Sequence, residues 1–186
     1  MGTDQLSDIG PEGVADAFSA MGIESAIGMG GASLAAMFSA MGGDNIGSVG
    51  AEGMQDAALS MTGDDLGQMD PEAAAAMMEA IGSAEAIDAL GGEQLAGIIG
   101  AINPDELAGV MPTEVLMEAA EKMTIEDFEA MSGEGAGAMF DVLGSEQVFE
   151  SLGEVQVAGM FSAMDAEQMA TLGTETISEA LVTMGT

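Results

Sequence analysis

The chain reads as all-α, an α-solenoid of nine short-helix/long-helix units of about 20 residues, each packing only on its neighbours. Three observations predict this. Apolar landmarks recur in two parallel series: Ile9, Met29, Val49, Met69, Leu90, Val110, Met131, Leu152 and Leu172 close the short segments, and Met21, Met41, Met61, Ile81, Ile102, Met123, Leu143, Met164 and Met184 close the long ones. Every step within a series is 20 or 21 residues. Apolar residues inside the long segments fall at helical spacing, and Pro, Gly and Asp or Asn punctuate the joints where helices begin and end.

In chain order, the first three units pair GTDQLSDI with GPEGVADAFSAM, GIESAIGM with GGASLAAMFSAM, and GGDNIGSV with GAEGMQDAALSM. Each long member places one apolar stripe, such as Val14, Phe18 and Met21, on one helix face. The middle units pair TGDDLGQM with DPEAAAAMMEAI, GSAEAIDAL with GGEQLAGIIGAI, and NPDELAGV with MPTEVLMEAAEKM. Here Leu95, Ile98, Ile99 and Ile102 give the i, i+3, i+4, i+7 pattern. Pro71 and Pro104 follow the N-cap residues Asp70 and Asn103, as Pro11 follows Gly10, and acids come next, facing the positive helix end. The last units pair TIEDFEAM with SGEGAGAMFDVL, GSEQVFESL with GEVQVAGMFSAM, and DAEQMATL with GTETISEALVTM. Short members carry one i, i+3 apolar pair, for example Leu66 and Met69, enough for about two turns. Glycines 22, 42, 82, 91, 144, 153, 173 and 185 follow the last apolar residue of a segment, where left-handed C-caps are expected.

The units form one continuous array over residues 1–186, ending near 21, 41, 61, 81, 102, 123, 143, 164 and 184. One unit has too few apolar side chains to offset the entropy of ordering its backbone, so stacking is obligatory. The repeated core positions are Phe18, Phe38, Met78, Ile99, Phe140, Phe161 and Leu181. With 28 glycines and many alanines, the helices are expected to approach closely in a tightly pitched array.

Charge narrows the function. Asp and Glu number 33 against a single base, Lys122, for a net charge of −32. Phosphate recognition relies on Lys and Arg, so nucleic acid is excluded as a partner and anionic lipid is repelled. The chain also repels itself, and high salt or divalent cations are expected to support it. No apolar run approaches the length needed to span a bilayer, so no membrane insertion is expected. The opening MGTDQLSDIG has no basic or apolar signal-peptide region, and the absence of Cys removes disulfides and thiol chemistry. Met184-Gly185-Thr186 repeats Met1-Gly2-Thr3, so tail joins head in phase. Either the chain is a window of a longer tandem array, whose neighbouring repeats are its partners, or copies of it stack end to end; both readings expose solenoid ends that invite heterologous, non-closing contact.

Chemistry finds little purchase. Without His, Cys, Arg, Tyr or Trp, the usual bases, nucleophiles and oxyanion clamps are missing, and the chain is read as no enzyme. The densest carboxylate cluster, Asp64, Asp65, Asp70 and Glu72, is the candidate metal set, with Asp105 and Glu106 next. Oxygen ligands would select calcium or magnesium as cofactor. The competing reading is that these acids cap helices and solvate the surface. The 19 methionines recur at core positions and read as packing, not copper ligation.

The segments MDPEAAAAMMEAI and INPDELAGVMP, within residues 69 to 131, resemble the helical repeats of the cytosolic N-domain of MgtE-type magnesium transporters and the superhelical segments of the flagellar motor switch protein. The resemblance implies a right-handed superhelix with an acidic face that meets magnesium. The chain lacks the basic residues and membrane spans of such transporters, so transport and gating do not carry over, and no individual metal ligand is mapped.

The function expected from these features is structural: an acidic segment of an extracellular or cell-surface filament, assembled end to end with copies of itself. The alternatives are a soluble scaffold that binds basic proteins and a divalent-cation-sensing helical-repeat domain.

Overall fold

A computed structural model describes residues 9–82 and 84–185, without the side chains of 84–86. The protein is all-helical and repeat-like, with no strand among the described residues. The helices are α1 Pro11–Met21, α2 Ile23–Ile27, α3 Gly31–Met41, α4 Gly43–Ile46 and α5 Ala51–Ser60. Then come α6 Gly63–Gly67, α7 Pro71–Ile81, α8 Ala84–Ala89, α9 Gly92–Ala101 and α10 Leu107–Val110. The last are α11 Thr113–Lys122, α12 Ile125–Ala130, α13 Gly133–Leu143, α14 Ser145–Ser151, α15 Glu154–Ala163 and α16 Ala166–Thr183. Short 3₁₀ turns, Gly47–Val49 and Pro104–Glu106, extend the short segments on either side of the middle. Within α16 the backbone breaks at Gly173 (φ 77°, ψ 163°), so this element also divides into a short and a long part.

The joints correct one expectation. Gly82 is the left-handed cap foreseen (φ 33°, ψ −1°). Gly91 and Gly153 instead have ordinary extended backbone, φ −81° and −76°, and begin the next helix. Gly22, Gly42 and Gly144 serve at once as the last residue of one helix and the cap of the following one, with φ 73–77° and ψ 145–154°. That region is open only to glycine. It lets the chain leave a long helix and enter a short one through a single residue. Where glycine is absent, as at Met123 and Thr124, two extended residues do the same work.

One packing rule runs through the molecule: each short helix lies on the long helix of the following unit. The pairs are α2 on α5, α4 on α7, α6 on α9, α8 on α11, α10 on α13, α12 on α15 and α14 on α16. Contacts also reach two units ahead, which corrects the expectation of neighbour-only packing. Long helix α3 meets α7, and α9 meets α13. Side chains bond across the same interval: the Asp70 N–H donates to Ser39 Oγ at 2.9 Å, 31 residues away. Gln156 Nε2 donates to the Met123 carbonyl at 3.3 Å, 33 residues away, and so caps the end of α11.

One place in each long helix faces the incoming short helix. In order it is Asp16, Ala36, Asp56, Ala76, Gly97, Glu118, Ala138, Gly159 and Glu179. The three most extensive short-on-long contacts, α6 on α9, α12 on α15 and α4 on α7, fall at Gly97, Gly159 and Ala76. A Cβ on Gly97 would collide with the Gly63 carbonyl, and one on Gly159 would stand 2.7 Å from the Phe128 ring. At Asp56, Glu118 and Glu179 the corresponding contacts are smaller, and so is that of α10 on α13 at Ala138, so a small residue at this place permits a close approach without ensuring it.

The core follows the apolar stripe. Phe18, Phe38, Met78, Ile99, Phe140 and Phe161 are buried, and Phe18–Phe38 and Phe140–Phe161 ring pairs link successive units at 5.4 and 5.5 Å. Leu181, expected in the same set, is 47% exposed. Its helix packs on α13, α14 and α15, all of which precede it, whereas interior long helices are also packed by helices that follow. No helix of the described residues is long and apolar enough to cross a membrane.

Gly97→Val is expected to cost about 2 kcal/mol or more, through backbone displacement at the α6–α9 contact. Gly67→Ala, whose Cβ would meet nothing closer than the Gly97 carbonyl at 3.9 Å, should be neutral or gain up to about 1 kcal/mol. Urea unfolding of both variants checks the pair; equal costs would mean that the close approach contributes nothing.

Candidate functional site

The four carboxylates of the candidate metal set are separated by the fold. Thr62 and Asp65 form a capping box at the start of α6: Asp65 N–H donates to Thr62 Oγ1 at 3.2 Å, and Thr62 N–H donates back to Asp65 Oδ2 at 3.1 Å. Asp70 caps α7, its Oδ1 accepting from the Glu72 N–H at 3.1 Å. Asp64 is exposed in the first turn of α6, and Glu72 is exposed in the first turn of α7. Among the described residues, no three His, Cys, Asp or Glu side chains converge as a metal would need. Asp65 and Asp70 are thus engaged in helix capping, and all four sit near the positive helix ends that favour them.

What the fold does assemble is a set of shallow acidic grooves. Each is floored by a long helix and walled by two short segments, one from the unit before and one from two units after. One groove takes Asp44 from α4, Glu72 and Glu79 from α7, and Asp105 and Glu106 from the 3₁₀ turn before α10. A second takes Asp64, Glu93, Glu126 and Asp127 from α6, α9 and α12. A third, along α13, takes Asp105, Glu134 and Asp141. Asp64 and Glu72 therefore line different grooves. Asp105 and Glu106, the second acidic pair in the sequence, lie in the first groove beside Glu72. These surfaces concentrate negative potential, which raises the local concentration of cations and of basic partners.

Two interactions lay beyond the sequence reading. Glu93 reaches back 30 residues, and its Oε1 accepts from the Gly63 N–H at 3.0 Å, satisfying a helix-start donor of the preceding unit. The single base, Lys122, bridges α11 to α8: its Nζ stands 2.7 Å from Asp88 Oδ1 and donates to the Ile87 carbonyl at 3.2 Å. Lys122 thereby supplies positive charge at the C-terminal end of α8. No local sequence signal points to either contact. The sequence reading also passed over the capping boxes, although Thr62-x-x-Asp65, Thr124-x-x-Asp127 and Asp165-x-x-Gln168 carry the local spacing that marks them.

Thr124→Ala, which opens the second capping box, should cost about 0.5–2 kcal/mol. Asp64→Asn, which removes an exposed charge from a groove without a base, should leave stability unchanged or raise it by a few tenths of a kcal/mol. Thermal melts at low salt measure both, and a large loss on Asp64→Asn would restore that residue as a specific cation ligand. Comparison with known proteins brings no match, whether with family models, with curated proteins or with solved structures.

Proposed function

We propose that this chain is a structural protein, a nine-unit acidic α-solenoid that assembles end to end with copies of itself into a filament at the cell surface or outside the cell. The observation that carries this reading is the burial of one core position along the array. Val14, Leu34, Met54, Ala74, Leu95, Leu116, Ala136 and Val157 are all buried, whereas Ile177, the same position in the last long helix, is only half-buried. One repeated core therefore runs through the described units, in a chain whose charged side chains are 33 acids and a single lysine. The unit-level resemblance to MgtE-type N-domains supports a superhelical array and assigns no site.

Self-repulsion sets the condition for assembly. With charge −32 per chain, copies approach only when the screening length shrinks, from about 8 Å at physiological ionic strength to about 3 Å at 1 M salt. Calcium or magnesium would act as counterions in the acidic grooves. Sedimentation velocity and electron microscopy should show monomers or short oligomers at low salt and linear polymers in molar NaCl or millimolar CaCl₂. A monomer under every such condition would overturn the reading.

The recurrence of acidic grooves favours one other reading, a scaffold for basic segments of partner proteins. In that case a lysine-rich peptide should bind saturably to the monomer and be released by salt, without inducing polymers.

A further inference from the structure

The capping-box side chains touch a second helix as well as their own. Asp65 Oδ2 accepts from the Thr62 N–H at 3.1 Å and from Thr62 Oγ1 at 2.9 Å, which closes the start of α6. The same oxygen lies against Gly31, the first residue of long helix α3 two units earlier, where a Cβ would collide with it. Asp127 Oδ2, which accepts from the Thr124 N–H at 2.8 Å and from Thr124 Oγ1 at 2.9 Å, lies in the same way against Gly92, the first residue of α9. Gln168 Oε1, which accepts from the Asp165 N–H at 3.0 Å, would stand 3.1 Å from a Cβ on Gly133, the first residue of α13.

The glycines follow the boxes along the chain. Long helices α1, α7 and α11 begin with Pro11, Pro71 and Thr113. The short segments two units after them, which start at Gly43, Pro104 and Ser145, have no capping box. Charge then divides the three pairs. Gly30 and Gly91, the N-caps of α3 and α9, offer no side-chain cap, and α3 has no acid in its first turn. Glu93, the first-turn acid of α9, accepts from the Gly63 N–H of the preceding unit. By contrast α13 is capped by its own Ser132, whose Oγ accepts from the Gly135 N–H at 3.1 Å, and it carries Glu134 in its first turn. The two helices without a side-chain cap receive a carboxylate from two units ahead, and the helix with one receives a neutral amide. Free first-turn N–H groups give a helix start partial positive charge, so an anion there is favourable.

We propose that Asp65 and Asp127 act as two-helix clasps. Each caps its own short helix and supplies negative charge to the start of the long helix two units before, with Gly31 and Gly92 as the sockets that admit the carboxylate. The clasp sets the register between units that are not consecutive in the chain. It also gives two carboxylates a favourable partner in a chain that has a single lysine and no arginine.

A double-mutant cycle tests the socket. Gly31→Ala should lower Tm by about 2–4 °C in the otherwise unchanged chain, and should cost little or nothing in Asp65→Ala, where the colliding carboxylate is gone. Gly109→Ala, at a place where a Cβ would meet nothing within 4 Å, should have the same effect in both backgrounds. Equal costs of Gly31→Ala in the two backgrounds, or coupling of the same size at Gly109, would overturn the proposal. Charge is read separately through Asp65→Asn, which keeps the shape of the side chain and needs only the folded protein. Hydrogen exchange at low salt should speed up about threefold at the amides of Ala35 and of Leu34, whose N–H donates to the Gly30 carbonyl at 3.1 Å, with the amides of α13 unchanged. Unaltered exchange at the start of α3 would remove Asp65 as the charge of that helix and sink the clasp.

Discussion

Close backbone approach between a short helix and the long helix of the next unit is the constraint on which the rest of this molecule depends. Gly63 and Gly97 meet where neither tolerates a Cβ, and Gly159 takes the Phe128 ring in the same way. Dispersion energy falls steeply with separation, so small residues at the crossing convert a thin apolar payload into tight packing. That matters in a chain with six phenylalanines, no tryptophan and no tyrosine. Small residues at chosen points let these helices approach, and the Phe18–Phe38 and Phe140–Phe161 ring pairs add to the packing between successive long helices.

The same place in the long helix is also where charge enters. The three closest approaches occur where that residue is alanine or glycine, although Ala138 receives α10 in a small contact. Tight contacts at Ala76, Gly97 and Gly159 are thus interspersed with looser ones at Asp56, Glu118 and Glu179. One of the looser contacts, α8 with α11, is the one that Lys122 bridges. The pair with Asp88 is largely exposed on the carboxylate side and contributes about 0–1 kcal/mol. Its placement at a weak joint gives that small energy a structural use.

Contacts that reach two units ahead change the mechanical character of the proposed filament. Hydrogen bonds such as Asp70 to Ser39 and Gln156 to Met123 tie helices separated by 31 and 33 residues. A bend at one joint therefore strains the next, and stiffness arises from overlap between successive contacts. The acidic grooves are a by-product of the same overlap, because a long helix bordered by short segments from both directions leaves a trough along its outer side. Their carboxylates are mostly the first-turn acids that helix dipoles favour, which is why negative charge recurs there without converging on a metal site.

The helical class, the places of the long helices, six of the seven chosen core positions and the caps at Asp70 and Asn103 were legible in the sequence. All are local: a 3.6-residue stripe, a cap and a proline act within a few residues of one another. Tertiary structure alone decided the reach of Glu93 to Gly63, the placing of Asp64 and Glu72 in separate grooves, and the exposure of Leu181. Each depends on which helix lies about 30 residues away, an interval of one and a half units that no local periodicity encodes. A repeat declares its own period; the register with which it packs on itself is fixed only when side-chain volumes and backbone direction are satisfied together in three dimensions.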